Sequence, residues 1–237
     1  MTPNGNGTAS TIVTTSRDGV IELKLNRPDR RNALTSGLLR ELRVHLTLIG
    51  DDPDVRAVIL TGSGDAFCAG ADLKEIPPEA PAWLGQTRLR LIADVLRRLR
   101  ELEQPTIAAV NGPAVGAGWG LALACDLCFA VSGASFGLPE VARGFRLPEP
   151  LTRRLVEVAG PIRAADVMFG GQSYPAEHVL AAGWVTRVLP GAPELSEEAW
   201  RFAGCLAAAP RRAVAGAKQS LRPDNAMPSA RLAWTDD

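Results

Sequence analysis

Two glycine-rich stretches and one acid carry the chemistry that this chain could do. Gly112-Pro-Ala-Val-Gly-Ala-Gly-Trp-Gly120 follows one apolar segment and leads into another, and Gly62 to Leu73 (GSGDAFCAGADL) has the same character. A loop that leaves a strand and opens a helix points free N–H groups outward, and the helix dipole adds positive potential there. Gly116-Ala117-Gly118 and Ala69-Gly70-Ala71 are small enough for a ligand to reach the main chain. Two such loops in one site would hold a developing oxyanion, and Glu140, closing Phe136-Gly-Leu-Pro-Glu140, would move a proton beside it. Neither loop runs into Gly-Lys-Ser/Thr, so the P-loop pattern is excluded. Gly116, Gly118 and Gly120 are too evenly spaced for a dinucleotide fingerprint. No nucleotide cofactor is expected.

The elements that must position these groups follow from period and punctuation. Thr11 to Ser16 and Val20 to Leu25 alternate and are β-branched, and Asp18-Gly19 between them predicts a hairpin. Leu38, Leu39, Leu42, Leu46 and Ile49 recur at helical spacing, which predicts a helix over Ser36 to Ile49 with Ser36 as its cap. Val55 to Thr61 and Thr106 to Val110 read as buried strands, each feeding one glycine loop. Between them, three prolines make 75–81 a surface connection, and Leu84 to Leu102 is a long amphipathic helix. Gly116 to Leu123 reads as a short helix and Cys125 to Val131 as a strand. Beyond Pro150 the pattern turns helical over Leu151–Ala159, Arg163–Phe169, Ala176–Ala182, Glu194–Ala208 and Arg211–Leu221, with one strand at Trp184–Val188. The first two thirds are therefore α/β and the last third mostly helical.

Composition narrows the partners. The 237 residues are 46% hydrophobic, enough for a sizeable core. Lys plus Arg number 26 and Asp plus Glu 26, so no charge excess argues for a nucleic acid or an anionic membrane. Cys125 and Cys128 form a CxxC, but no second pair supports zinc, so Cys68, Cys125, Cys128 and Cys205 are expected as free, buried thiols. No metal site is expected. His45 and His178 fall in predicted helices away from any catalytic motif and read as surface or core. The Gly/Asn/Thr-rich residues 1–10 are expected to be disordered. No apolar run near 18 residues and no signal-peptide pattern occurs, so the expected compartment is the cytoplasm.

Four motifs in order carry a resemblance: Asn26-Arg-Pro-Asp-Arg-Arg-Asn-Ala-Leu34, Gly64-Asp-Ala-Phe-Cys-Ala-Gly-Ala-Asp-Leu73, Ala109-Val-Asn-Gly-Pro-Ala-Val-Gly-Ala-Gly118 and Phe136-Gly-Leu-Pro-Glu140. The chain resembles the enoyl-CoA hydratase/isomerase (crotonase) family over about Thr11 to Leu221. The resemblance implies a crotonase-like spiral of ββα units over 11–190, with a helical C-terminal region over 191–237. It implies an acyl-CoA thioester substrate, coenzyme A as part of that substrate, no other cofactor, and a homotrimer or hexamer. Carried over by position, the oxyanion-hole amides fall on Ala71 and Ala117. Residues that wrap the CoA fall on Arg27, Arg31, Ala33, Ala69, Asp72, Leu73 and Gly116, and Lys218 sits where a base near the nucleotide phosphates is often found. The short stretch after Leu221 departs from the longer helical tail of many members.

The acids depart from the family more tellingly. Hydratases of the family carry one glutamate shortly after the second glycine loop and another at the end of the Phe-Gly-x-Pro-Glu motif. Here the first position is Gly120 and the second is Glu140. Hydration needs a water held by both acids, whereas one carboxylate suffices to shuttle a proton between two carbons of an enolisable thioester. The pattern therefore resembles the family's Δ3,Δ2-enoyl-CoA isomerases. Glu149 in Pro148-Glu149 is a candidate second acid; otherwise it is a helix-start carboxylate. Arg143 and Arg146 are left with three partners open: Glu140, Glu149 or an acidic acyl group. Trp83, Trp119, Trp184 and Phe145 are candidates for a pocket wall. The competing readings are a hydratase, dehydratase or decarboxylase on the same chemistry, including one acting on a carrier-protein thioester, and a non-catalytic acyl-CoA binding protein.

Overall fold

The computed structural model describes residues 10–75 and 82–221. The expectations for residues 1–9, for most of the proline-rich connection, for the tail after Leu221 and for the Trp83 side chain lie outside them. Strands β1 (Ile12–Arg17) and β2 (Val20–Leu25) form the expected hairpin. Its two-residue turn puts Asp18 at φ 50° and Gly19 at φ 77°, the positive angles that a tight hairpin turn matching strand twist demands. Parallel strands follow: β3 (Ala57–Gly62), β4 (Thr106–Val110), β6 (Leu127–Val131) and β9 (Arg187–Leu189). They extend the sheet in the order β1-β2-β3-β4-β6-β9. Both β3 and β4 are buried along their whole length, which is why they read as continuous apolar runs rather than alternating ones.

A second, three-stranded sheet was not legible in the sequence. It joins β5 (Ala114–Val115), β7 (Ser135–Gly137) and β8 (Ser173–Pro175). Strands of two or three residues carry too few side chains to show a period. This small sheet brings the second glycine loop and the Phe136–Glu140 motif side by side, since β5 pairs with β7 in parallel.

Helix α1 (Ser36–Asp51) buries Leu38, Leu39, Leu42, Leu46 and Ile49 as its spacing predicts. Its cap is Thr35 rather than Ser36: the Thr35 hydroxyl accepts from the Leu38 N–H at 3.1 Å. Helix α2 (Ala82–Glu101) lies against α1, and α3 (Ala117–Ala124) lies against α2. All eight residues of α3 are buried, as expected of a helix apolar on every side. Then come α4 (Glu149–Ala159), α5 (Pro161–Gly170), α6 (Ala176–Ala181), α7 (Ala192–Ala208) and α8 (Arg211–Ser220). Helix α7 crosses β2, β3, β4 and β6, so the helical last third closes one face of the sheet. No helix among the described residues is long and apolar enough to cross a membrane. Cys68, Cys125 and Cys128 are free and buried, and burial pushes the thiols of Cys68 and Cys128 up to about 12. Cys205 is free but exposed, because α7 turns it away from the sheet.

Candidate active site

The two glycine loops leave the C-terminal ends of β3 and β4 and are stitched together by main-chain bonds. Cys68 N–H donates to the Pro113 carbonyl at 3.1 Å, and Val115 N–H to the Cys68 carbonyl at 2.9 Å. Small residues permit this approach: a Cβ on Gly118 would overlap the Cys68 carbonyl oxygen, and one on Gly112 the Asp65 carbonyl. A third segment joins them. Leu34 N–H donates to Gly70 O at 2.8 Å, and Asp72 N–H to Leu34 O at 3.0 Å. This parallel pairing spends the carbonyl before Ala71 and the N–H after it, and leaves the Ala71 N–H without a backbone acceptor among the described residues. Ala117 is the first residue of α3, so its N–H is one that no helix can satisfy internally. The loops touch: a Cβ on Gly70 would lie 2.6 Å from the Val115 carbonyl and 3.5 Å from the Ala117 nitrogen. Ala71 and Ala117 thus both line one cleft of about 310 Å³ with their amides unspent.

Glu140 lines the same cleft. Its carboxylate lies against Gly116, where a Cβ would overlap Oε1. Gly116 takes φ 57°, ψ −127°, a conformation essentially closed to other residues. Glycine is required here twice, for the turn into α3 and for contact with the acid. Glu140 Oε2 is buried and has no hydrogen-bond partner among the described residues. Burial raises the pKa of the acid above the ordinary carboxylate range, with its own backbone N–H and Arg143 acting in the opposite direction. Buried carboxylates are normally partnered, so an orphan oxygen beside two orphan amides marks a place for a substrate.

Position 120 holds no second acid, and apolar side chains crowd it. Gly120 faces Leu151 of α4 and Leu96 of α2, and a Cβ there would lie 2.7 Å from Leu151 Cδ1 and 3.4 Å from Leu96 Cδ1.

The remaining expected residues divide. Ala69, Leu73 and Gly116 line the cleft. Arg27, Ala33 and Asp72 stand behind it as a clamp: the Arg27 guanidinium donates to the Ala33 carbonyl and pairs with Asp72 Oδ2 at 3.1 Å. Arg31 is exposed at a turn with φ 47°, and its carbonyl accepts from Ala69 N–H at 2.9 Å. Two expected residues lie apart from the cleft. Glu149 does not line the cleft; it is exposed in the first turn of α4, where the helix dipole favours a carboxylate. Lys218 is not at the cleft rim. It is 6% exposed, near the N-terminal ends of β4 and β6, where its Nζ donates to Gln104 O at 2.8 Å and pairs with Asp126 Oδ2 at 2.7 Å. Helix α8 turns it inward. Trp119 and Trp184 belong to the core, in a cluster with Phe136 and Tyr174, and Phe145 lines the cleft.

Three positioning residues escaped the sequence reading. Asn32, fully buried, donates to the carbonyls of Ser63 at 2.9 Å and Ala66 at 2.8 Å and accepts from Arg27 N–H. Asn111 accepts from Gly62 N–H at 3.1 Å and donates to Gly64 O at 3.0 Å. Asn111 sits inside a motif noticed for its glycines and Asn32 inside Asn26–Leu34, and an asparagine within a turn-rich motif was the available signal. Arg88 of α2 bonds the Leu34 carbonyl and pairs with Glu75 at 3.2 Å, holding the strand beside Ala71. An arginine in an amphipathic helix gives no such signal.

Comparison with known proteins follows the same lines. The family model described as Enoyl-CoA hydratase/isomerase matches residues 15–233. The 2,3-dehydroadipyl-CoA hydratase of Escherichia coli is 38% identical over 214 residues, 90% of this chain and 82% of that protein. The short-chain-enoyl-CoA hydratase of Clostridium acetobutylicum is 40% identical over 171 residues, 72% and 65% of the two chains. Among solved structures, the enoyl-CoA hydratase of Bacillus anthracis superposes with TM-score 0.85 at 35% identity, covering 89% of this chain and 82% of the other. An enoyl-CoA hydratase/carnithine racemase of Magnetospirillum magneticum gives TM-score 0.87 at 30% identity, covering 94% and 85%.

Proposed function

The chain belongs to the enoyl-CoA hydratase/isomerase family, and from that premise we propose that it moves the double bond of a 3-enoyl-CoA to position 2 by a one-carboxylate proton shuttle. Glu140 takes a proton from C2, the C2–H electrons pass into the thioester carbonyl, and a dienolate forms. The N–H groups of Ala71 and Ala117 hold its oxygen, each donor worth about 3 kcal/mol in the transition state. Glu140 then returns the proton to C4. An acid with a raised pKa suits this task, since it takes and gives back a proton at modest cost. The observation that carries the reading is Gly120 against Leu151 and Leu96, which leaves one carboxylate where water addition uses two.

A second reading is favoured by the relatives named hydratases: water addition to a 2-enoyl-CoA with Glu140 alone. Dehydration or decarboxylation through the same enolate, on CoA or a carrier protein, belongs with it. A non-catalytic acyl-CoA binder is the reading from another class. One experiment separates them: turnover of 3-hexenoyl-CoA and of crotonyl-CoA by wild type and E140Q, with CoA-thioester binding measured alongside. Isomerisation that outruns hydration and disappears in E140Q, with binding retained, is the expected result. Hydration at a rival rate would select the second reading, and binding without any turnover the third.

The homotrimer or hexamer is proposed on the same premise. Ile162 and Phe169 of α5, 84% and 70% exposed, are apolar surface that such an assembly would cover.

A further inference from the structure

One wall of the cleft is charged in a way that the proton shuttle does not use. Arg143 and Arg146 line it, on either side of Gly144 and Phe145. Neither forms an ion pair within 4 Å with a carboxylate of the described residues, and Arg143 acts on Glu140 only through its charge at longer range. On the α2 side of the same cleft, Arg88 is 5% exposed, and its Nε–H is buried with no acceptor among the described residues. Among the described residues lining the cleft, two arginines, Arg143 and Arg146, and one acid, Glu140, have no ion pair within 4 Å. A buried donor left unpaired is costly until an acceptor arrives, and arginine forks suit carboxylates in particular.

The backbone ties these arginines to the reacting atoms. Arg143 N–H donates to the Glu140 carbonyl at 3.0 Å, and Phe145 N–H donates to the same oxygen at 2.8 Å. Their segment therefore folds back onto the acid, and Phe145, Leu89 and Ile92 supply apolar surface for methylene groups. The phosphates of coenzyme A are separated from the thioester by the whole pantetheine arm. An anion meeting arginines beside Glu140 must then belong to the acyl group.

We propose that Arg143 and Arg146, with the Arg88 Nε–H as a further donor, select acyl groups that carry a second, distal carboxylate. The inference rests on reading the cleft as an acyl-CoA site, but not on which reaction follows. The test is therefore a binding measurement with thioesters that cannot isomerise: titration calorimetry of wild type, R146Q and R143Q/R146Q with hexanedioyl-CoA and hexanoyl-CoA. Wild type is expected to bind the dicarboxylic thioester about tenfold or more tighter, as a charge-assisted fork gives. The ratio should fall in R146Q and approach one in the double variant, circular dichroism verifying that each is folded. Equal affinities in wild type, or a preference that survives both substitutions, would overturn the proposal. So would an equal loss for both thioesters, which would assign the arginines to CoA. Binding of neither thioester would overturn the acyl-CoA reading as well. A preference without any isomerisation of 3-hexenedioyl-CoA would remove the proton shuttle and leave this inference standing.

Discussion

The two ends of the sheet treat a buried charge in opposite ways. At the N-terminal ends of β4 and β6, Lys218 is held by the Gln104 carbonyl and by Asp126, and Asp126 in turn accepts from the N–H of Thr106 at 2.8 Å and its hydroxyl at 2.9 Å. At the C-terminal ends of β3 and β4, Glu140 has an oxygen without a partner among the described residues, and the amides of Ala71 and Ala117 have no backbone acceptor among them. Both ends carry the cost of desolvating an ion, yet only the first recovers it within the chain. A fold that satisfies its polar groups at one end and leaves three open at the other has set those three aside for something that binds.

Substitutions can break that contrast. E140Q should have the largest effect, a fall of about 10²–10⁴-fold in isomerisation kcat, while the melting temperature rises at neutral pH. The sign follows from linkage. Burial raises the pKa of Glu140 in the folded state, so the protein binds the proton more tightly than the unfolded chain does, and stability falls as pH rises through the raised pKa. Removing the charge removes that loss. For the same reason the wild-type rate should climb with pH through a midpoint above the ordinary carboxylate value of 4.5, and thermal scans and rate profiles over the same pH range would check both. G116A comes next. Its Cβ would overlap Glu140 Oε1 and sit at φ 57°; displacing the acid should cost about 10²-fold in kcat.

At the other end the same kind of change should do the reverse. K218M leaves Asp126 facing a lost partner and should lower stability by about 2 kcal/mol in denaturant titration, below the range for a fully buried pair because Asp126 is 24% exposed. Its kcat per folded molecule should stay at the wild-type value. E149Q sharpens the contrast with the smallest effect: about 0.3–1 kcal/mol from the lost interaction with the α4 dipole, and no change in kcat/KM.

What the sequence disclosed follows the same division. The hairpin, α1 and the buried strands were legible because period and turn residues are local properties. The glycine loops were legible because close main-chain approach requires glycine at Gly112 and Gly118, and the turn beside Glu140 requires it at Gly116. The surroundings of Lys218 and Glu149 were not legible because spacing along a helix does not state which way the helix faces. The small sheet stayed hidden because its strands are too short for a period, although it is what sets Glu140 beside Gly116. Arg88 and Leu151 were silent for a related reason: their roles exist only in contacts with distant segments, Arg88 with Leu34 and Glu75 and Leu151 with Gly120.

The central claim is that one carboxylate both removes and returns the proton. Wild-type enzyme in ordinary water with 3-hexenoyl-CoA deuterated at C2 tests it directly, by mass spectrometry of the 2-hexenoyl product. A single shielded acid predicts deuterium carried to C4 in a measurable share of product molecules. Product holding only solvent hydrogen at C4, with recovered substrate still fully deuterated, would mean a second proton donor and would contradict the account.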